Sequence, residues 1–137
     1  MLTNSSVARP RVLIVDDDMA TTHLFSTYLS KSYDVRIAHD GAAALAEALA
    51  FPPNVVVTDV MMPQLDGYEL VERLRSVPGF PRMGVIFVSA RGGTQDVLEG
   101  IRHGAFSYLP KPVALDALGK KVAAAVRHAS IPPPPWR

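Results

Sequence analysis

Residues 55–67 read VVVTDVMMPQLDG, a short β-branched run that ends in an acidic residue, Asp59. Four consecutive β-branched residues are typical of a strand that is buried on both faces in a parallel sheet. Pro63 and the pair Asp66-Gly67 then turn the chain into a helix that we expect to reach about Arg75. This stretch predicts a strand, a loop and a helix, with Asp59 at the carboxyl end of the strand.

The same alternation of a short apolar run with a helical stretch recurs on both sides of this unit. Strands are predicted at residues 11–15, 34–38, 55–58, 85–88 and 106–109. Helices are predicted at residues 19–30, 41–50, 94–103 and 113–128, in addition to the one that ends near residue 75. Five such units indicate an α/β domain with a parallel sheet covered on both faces, in which ligands bind at the carboxyl ends of the strands.

The composition fits a single folded domain and excludes several classes of protein. A chain of 137 residues, of which 48% are hydrophobic and 20% charged, is long enough to bury a core. Its 14 basic and 13 acidic residues give a net charge of +1, so it lacks the basic excess of a nucleic-acid-binding protein. The absence of cysteine excludes a disulfide framework, a thiolate metal site and a cysteine nucleophile.

The two ends of the chain favour a cytoplasmic domain with short flanking segments. Residues 1–10 are polar and lack the apolar stretch of a secretory signal, so we expect a flexible segment there. No apolar run approaches the length of a membrane span. We place the domain at residues 11–129 and a proline-rich tail or linker at residues 130–137. A polyproline ligand for a partner's groove is an alternative interpretation of that tail.

Polar residues follow the predicted strands where their carboxyl ends meet. The residues concerned are Asp16, Asp17, Asp59, Ser89 and Lys111. Three neighbouring carboxylates repel one another unless a cation lies among them, and a hard divalent cation such as Mg²⁺ meets that need. A lysine ammonium and a serine hydroxyl can bind the same anion, as phosphoryl transfer to a carboxylate requires. Asp59, on the central strand, is the natural nucleophile.

The residues around these positions match a known family. The matching motifs are the sequences VDDD at 15–18, DVMMPQLDG at 59–67, VSA at 88–90 and YLPKP at 108–112. In these motifs, their order and their spacing, the chain resembles the receiver domains of two-component response regulators over residues 11–128. The resemblance implies a flavodoxin-like, doubly wound sheet of five parallel strands in the order 2-1-3-4-5, with five helices.

The resemblance also implies roles at the site. Asp59 is then the phospho-acceptor, supplied by a histidine kinase or a histidine phosphotransfer protein. Asp17 is the main ligand of Mg²⁺, for which Mn²⁺ can substitute, and Asp16 and the backbone carbonyl of Met61 assist. Ser89 and Lys111 bind phosphoryl oxygens.

Further features implied by the resemblance concern the switch. The peptide bond between Lys111 and Pro112 is expected to be cis. Tyr108 is the switch aromatic that turns inward when Ser89 moves towards the phosphoryl group. Met61 and Arg91 tune the lifetime of the phosphoryl group. The switching surface comprises the helix at 94–103, the strand at 106–109 and the helix at 113–128, which binds a partner protein or a second copy of the chain.

Several residues have plainer interpretations. Asp18 is expected to cap the helix that follows it. The four histidines, at positions 23, 39, 103 and 128, show no metal-ligand spacing and are interpreted as surface or helix residues.

Two other functions stay open as alternatives. One is a degenerate receiver that binds partners without phosphorylation. The other is a phosphohydrolase with an aspartyl-phosphate intermediate, as in haloacid-dehalogenase-like enzymes. Those enzymes carry a second acid two residues after the nucleophile, where this chain has Met61. The receiver interpretation implies no enzyme activity beyond the domain's own phosphorylation and dephosphorylation, and the sequence identifies no output domain.

Overall fold

The computed structural model describes residues 8–90 and 94–130, which form five strands and five helices in strict alternation. The strands are β1 (Arg11–Val15), β2 (Asp34–Ala38), β3 (Val55–Asp59), β4 (Gly84–Ser89) and β5 (Ser107–Pro110). The helices are α1 (Met19–Leu29), α2 (Gly41–Ala50), α3 (Gly67–Arg75), α4 (Thr94–Arg102) and α5 (Leu115–Ser130).

All neighbouring strands pair in parallel, in the order β2-β1-β3-β4-β5. The predicted doubly wound sheet, its strand order and its five helices are therefore confirmed. The register aligns Asp59 with Val88 and Ser89 with Pro110, so the last residues of the three neighbouring strands β3, β4 and β5 lie side by side.

Alternating strand residues build two cores, one on each face of the sheet. Leu13, Val56 and Phe87 belong to one cluster, which packs against α2 and α3. Val12 and Ile86 belong to the other, which packs against α1 and α5. Because both faces are covered, β3 and β4 are buried along their whole length, and the β-branched run at 55–58 has no solvent-exposed face.

The predicted boundaries differ from the observed ones by one or two residues. Helix α4 ends at Arg102 instead of residue 103, because Gly104 has a positive φ of 75° and ends the helix there. Helix α5 begins at Leu115 instead of residue 113 and continues to Ser130. Strand β5 is shifted by one residue to Ser107–Pro110. The predicted domain limits stay a prediction, and residues 1–7 and 131–137 lie outside the described residues.

Within the described part of the chain, no helix combines the length and the apolar character that crossing a bilayer requires.

Candidate functional site

Three carboxylates meet at the carboxyl edge of the sheet. Asp16 follows β1 and Asp59 ends β3, and both are buried, whereas Asp17 is exposed. One carboxylate oxygen from each lies within 4.8 Å of the other two. The predicted acidic cluster is therefore present, with two buried members and one that faces solvent.

The loop after β1 holds Asp16 in place. Its backbone N–H donates to the carbonyl of Ala38 at 3.1 Å, and its Oδ1 accepts from the N–H of Asp18 at 2.9 Å. Asp18 caps α1 as expected, since its carboxylate accepts from the Thr21 hydroxyl and the Ala20 N–H. These bonds lower the pKa of Asp18. Asp18 thus orients the loop and does not join the cluster.

Among the described residues, Lys111 is the only lysine whose ammonium group contacts these carboxylates. Its Nζ lies 2.9 Å from Oδ2 of Asp16 and 3.2 Å from Oδ2 of Asp59. Its backbone N–H donates to the carbonyl of Ser89 at 2.7 Å, which ties the loop to β4. The peptide bond between Lys111 and Pro112 is cis, as the resemblance implied.

Burial and charge act in opposite directions at this site. Burial raises the pKa of Asp59, Lys111 lowers it, and the neighbouring Asp16 raises it again, with a net upward shift. Burial alone would lower the pKa of Lys111, but its hydrogen bond to Asp16 and the charges of Asp59 and Asp16 outweigh that effect and raise it. The carboxylates therefore keep Lys111 charged, while one ammonium does not fully compensate Asp59.

The loop after β3 is fixed to Asp59 by backbone contacts. Oδ1 of Asp59 accepts from the N–H of Met61 at 3.2 Å, and the N–H of Gly67 donates to the carbonyl of Val60 at 2.9 Å. A Cβ atom at Gly67 would collide with the carbonyl oxygen of Asp59. The sequence predicted only a turn at Asp66-Gly67. This close approach was missed because Gly67 and Asp59 are well separated along the chain.

Ser89 and Tyr108 lie beside the acidic cluster. Ser89 is buried at the end of β4, and Tyr108 is half-buried in β5. Both line a cavity of about 380 Å³ with Met61, whose side chain is 56% exposed. The ring of Tyr108 packs so closely on Gly100 of α4 that a Cβ atom there would lie 2.7 Å from ring carbon Cδ2. Arg91, the other residue expected to tune phosphoryl lifetime, lies outside the described residues.

His103 is less exposed than the other three histidines, although the sequence predicts all four to be surface or helix residues. This residue lies beyond the end of α4, its side chain is only 18% exposed, and it pairs with Glu72 and Glu99. Its ring stacks on Tyr68. The spacing of Glu99 and His103, four residues apart on a predicted helix, was the available signal, whereas the contact with Glu72 depends on the packing of α3 against α4. The other three histidines are exposed.

Comparisons with known proteins agree with this fold. Residues 12–123 match the family model of the response regulator receiver domain. Response regulator MprA of Mycobacterium ulcerans is 38% identical, over 88% of this chain and 52% of that protein. The DNA-binding dual master transcriptional regulator RpaA of Synechocystis is 36% identical, over 87% of this chain and 50% of that protein.

Solved structures give the same picture. The chemotaxis protein CheY4 of Vibrio cholerae superposes with a TM-score of 0.80 at 29% identity, over 86% of this chain and 99% of that one. The receiver domain of the Francisella response regulator 1452 superposes with a TM-score of 0.79 at 33% identity, over 88% of this chain and 99% of that one. The chain spans about half the length of the curated relatives it matches. It belongs to the family of response regulator receiver domains.

Proposed function

We propose that the domain accepts a phosphoryl group on Asp59 from a phosphohistidine of a histidine kinase or a histidine phosphotransfer protein. The observation that supports this most directly is Lys111, whose ammonium lies between Asp16 and Asp59 within hydrogen-bonding distance of both. A buried carboxylate beside a fixed cation, at the end of a central strand, is suited to attack phosphorus and to hold the product.

The donor set fits a hard divalent cation. Asp16, Asp17 and Asp59 each offer an oxygen within a 4.8 Å cluster, and the exposed position of Asp17 leaves room for water ligands. We assign these side chains, with the backbone carbonyl of Met61, to the binding of Mg²⁺ or Mn²⁺. When bound, the cation neutralises charge on the carboxylates and on the phosphoryl oxygens.

In the transfer step, a carboxylate oxygen of Asp59 attacks phosphorus in line with the bond to the donor imidazole. The new O–P bond forms as the N–P bond breaks, and the electron pair of that bond stays on the imidazole nitrogen. Lys111 neutralises one phosphoryl oxygen, and the hydroxyl of Ser89 donates to another. Water later attacks phosphorus, which releases inorganic phosphate and restores the Asp59 carboxylate. The domain in this way catalyses only its own phosphorylation and dephosphorylation.

We place the output on the face formed by α4, β5 and α5. Leu98 and Ile101 of α4 are exposed, 46% and 59%, although both are apolar. The ring of Tyr108 packs on Gly100 of the same helix and lines the cavity next to Ser89. Movement of Ser89 towards the phosphoryl group changes the space open to Tyr108, which then alters this apolar face. A partner protein, an output domain or a second copy of the chain that prefers one form reads the signal.

The same site argues against the two alternative functions. A degenerate receiver does not need the Asp16–Lys111–Asp59 contacts. For the phosphohydrolase, the residue two beyond the nucleophile is Met61, which supplies no general acid. We further propose a cytoplasmic location, because the partners that donate phosphoryl groups act there.

Intact-mass measurement after incubation with Mg²⁺ and acetyl phosphate tests the proposal. We expect a gain of one phosphoryl group in the wild type, its loss with EDTA, and none in Asp59→Asn. The matched control is Asp34→Asn, which removes an exposed carboxylate at the opposite edge of the sheet and should label normally. An unlabelled wild type, under conditions that label an established receiver, would favour the phosphorylation-independent interaction module.

A further inference from the structure

A histidine joins α3 to the carboxyl end of α4. Nδ1 of His103 lies 2.8 Å from Oε2 of Glu72 in α3, and Nε2 lies 3.0 Å from Oε2 of Glu99 in α4. The ring stacks on Tyr68 of α3, with centroids 4.3 Å apart and planes at 10°. Carboxylates only accept hydrogen bonds, so the two bonds form together when both ring nitrogens carry protons. The contact with Glu72 and the stacking on Tyr68 connect His103 to α3, whereas the contact with Glu99 connects it to α4.

Arg75 of α3 adds a second connection at the same place. Its guanidinium donates to the carbonyl oxygens of His103, at 2.7 Å, and of Gly104, at 3.0 Å. Arg102, the neighbour of the histidine in the chain, pairs with Oε1 of Glu99 at 3.2 Å. The carboxyl end of α4 is thus bound to α3 at two successive residues.

Helix α4 buries little of its own apolar surface. Over residues 95–102, whose side chains are described, only Gly100 is buried, and Leu98 and Ile101 are exposed. Burying one large apolar side chain stabilises a fold by about 1.5–3 kcal/mol, and these residues of α4 bury none. The side chain of Glu72 is 62% exposed, so solvent screens its contact with His103, and an exposed ion pair contributes up to about 1 kcal/mol. Because these residues of α4 bury no large apolar side chain, a contact of that size still bears on where α4 lies.

The same contacts adjoin the cavity of the switch. Tyr68, which carries the histidine ring, also packs edge-on against Phe87 of β4, with centroids 4.8 Å apart. Tyr68 and Glu99 line the cavity that Ser89 and Tyr108 share. A shift of α4 relative to α3 therefore disturbs the bond between His103 and Glu72 and changes the shape of this cavity at the same time.

We propose that Glu72 and His103 form a latch that holds α4 against α3 in the unphosphorylated domain and opposes the phosphorylation-driven switch. This inference rests on the proposed function and adds a regulatory contact to it. A latch that stabilises one of two conformations lowers the affinity of any ligand that binds the other by the same factor. Weakening the latch therefore increases the switched population before phosphorylation and strengthens binding of a phosphoryl mimic at Asp59.

The test compares Glu72→Gln with Glu69→Gln, each titrated with beryllofluoride in Mg²⁺ and followed by backbone amide NMR. Glu69 lies on the same helix and pairs with Arg73, so its substitution removes a similar charge without touching His103. We expect the beryllofluoride midpoint of Glu72→Gln to fall by about two- to fivefold relative to the control. Amides of residues 98–101 and of Tyr108 should already lie part of the way towards the wild type's saturated positions. His103→Gln should act in the same direction.

A purely structural role would lower thermal stability without moving the midpoint. Equal midpoints for Glu72→Gln and Glu69→Gln, or a higher one for Glu72→Gln, would overturn the latch. A wild type that does not bind beryllofluoride at Asp59 would instead contradict the proposed function. The latch is then judged by hydrogen exchange of α4: faster exchange in Glu72→Gln than in Glu69→Gln supports it, and equal rates overturn it.

Discussion

The ammonium group of Lys111 lies nearer to Asp16 than to Asp59, at 2.9 Å against 3.2 Å. Lys111 is thus held by Asp16, which does not react, and it remains within reach of Asp59, which does. Asp16 is itself fixed by the N–H of Asp18. Because this support does not depend on Asp59, Lys111 can stay in place when Asp59 acquires a phosphoryl group and can pair with one of its oxygens.

Replacing this lysine should slow phosphorylation far more than it alters the fold. In Lys111→Gln the phosphoryl oxygens lose a preorganised cation, and removal of one such group typically slows a reaction about a hundredfold or more. We expect the rate of labelling by acetyl phosphate, measured by intact mass, to fall by that factor. Lys31→Gln, at an exposed lysine beside Tyr28, serves as the control. A labelling rate for Lys111→Gln within about twofold of the control would exclude the proposed role.

Removing the acceptor carboxylate should stabilise the metal-free domain. Burial raises the pKa of Asp59, so its charged form is unfavourable in the fold at neutral pH, although Lys111 offsets part of the cost. We expect Asp59→Asn to raise the free energy of unfolding at pH 7 by on the order of 1 kcal/mol, measured by urea denaturation in EDTA. Added Mg²⁺ should stabilise the wild type much more than the variant.

The difference in the free energy of unfolding between Asp59→Asn and the wild type should change with pH in one definite direction. With a raised pKa, the folded domain binds more protons at Asp59 than the unfolded chain does at mildly acidic pH. The stability contributed by this group is complete below the ordinary carboxyl pKa of 3.8 and is lost as pH rises through the raised value. The advantage of Asp59→Asn should therefore shrink as pH falls. An advantage that grows on acidification would show that Asp59 is not destabilising when charged.

As the pH falls, binding of Mg²⁺ should begin to weaken at a higher pH than it would if Asp59 had the pKa of an ordinary aspartate. The cation and the proton compete for the oxygens of Asp59, whose pKa is raised. We expect the dissociation constant for Mg²⁺, measured by titration of an amide signal, to rise about tenfold per pH unit below that pKa. An affinity that stays constant down to pH 4 would mean that Asp59 does not bind the cation.

The fold and most of the site could be predicted because their signals are local in the chain. The run at 55–58 is β-branched throughout, as is typical of a strand covered on both faces, and four of the five strands end in, or are followed directly by, a residue of the site. Parallel pairing then brings Asp59, Ser89 and Lys111 to one edge. The position of Asp16 next to Lys111 follows from the same topology.

What the sequence did not predict depends on contacts between elements. The close approach of Gly67 to the backbone of Asp59, and the pairing of His103 with Glu72, join residues whose spacing carries no periodic signal. The bounds of α4 and α5 also differ from the predicted ones by one or two residues at their ends. Such details are set by packing and not by local propensity.

The contact between Gly100 and Tyr108 provides a last prediction, about the coupling of α4 to the switch residue. A Cβ atom at position 100 would lie 2.7 Å from Cδ2 of Tyr108, so one of the two must move. We expect Gly100→Ala to lower the free energy of unfolding by about 1–3 kcal/mol, although alanine is the better helix former. With Tyr108→Ala already present the obstacle is gone, and Gly100→Ala should be neutral or stabilise the domain by up to about 1 kcal/mol.

Urea denaturation of the wild type, the two single variants and the double variant forms the cycle that measures this coupling. Phe87 does not account for a destabilisation, since its ring carbon would lie 3.5 Å from the new Cβ atom, which is an ordinary contact. A coupling energy of at least about 1 kcal/mol places the Tyr108 ring against α4 in solution. Additive effects would mean that the ring already lies elsewhere before phosphorylation, so that turning it could not transmit the signal to α4.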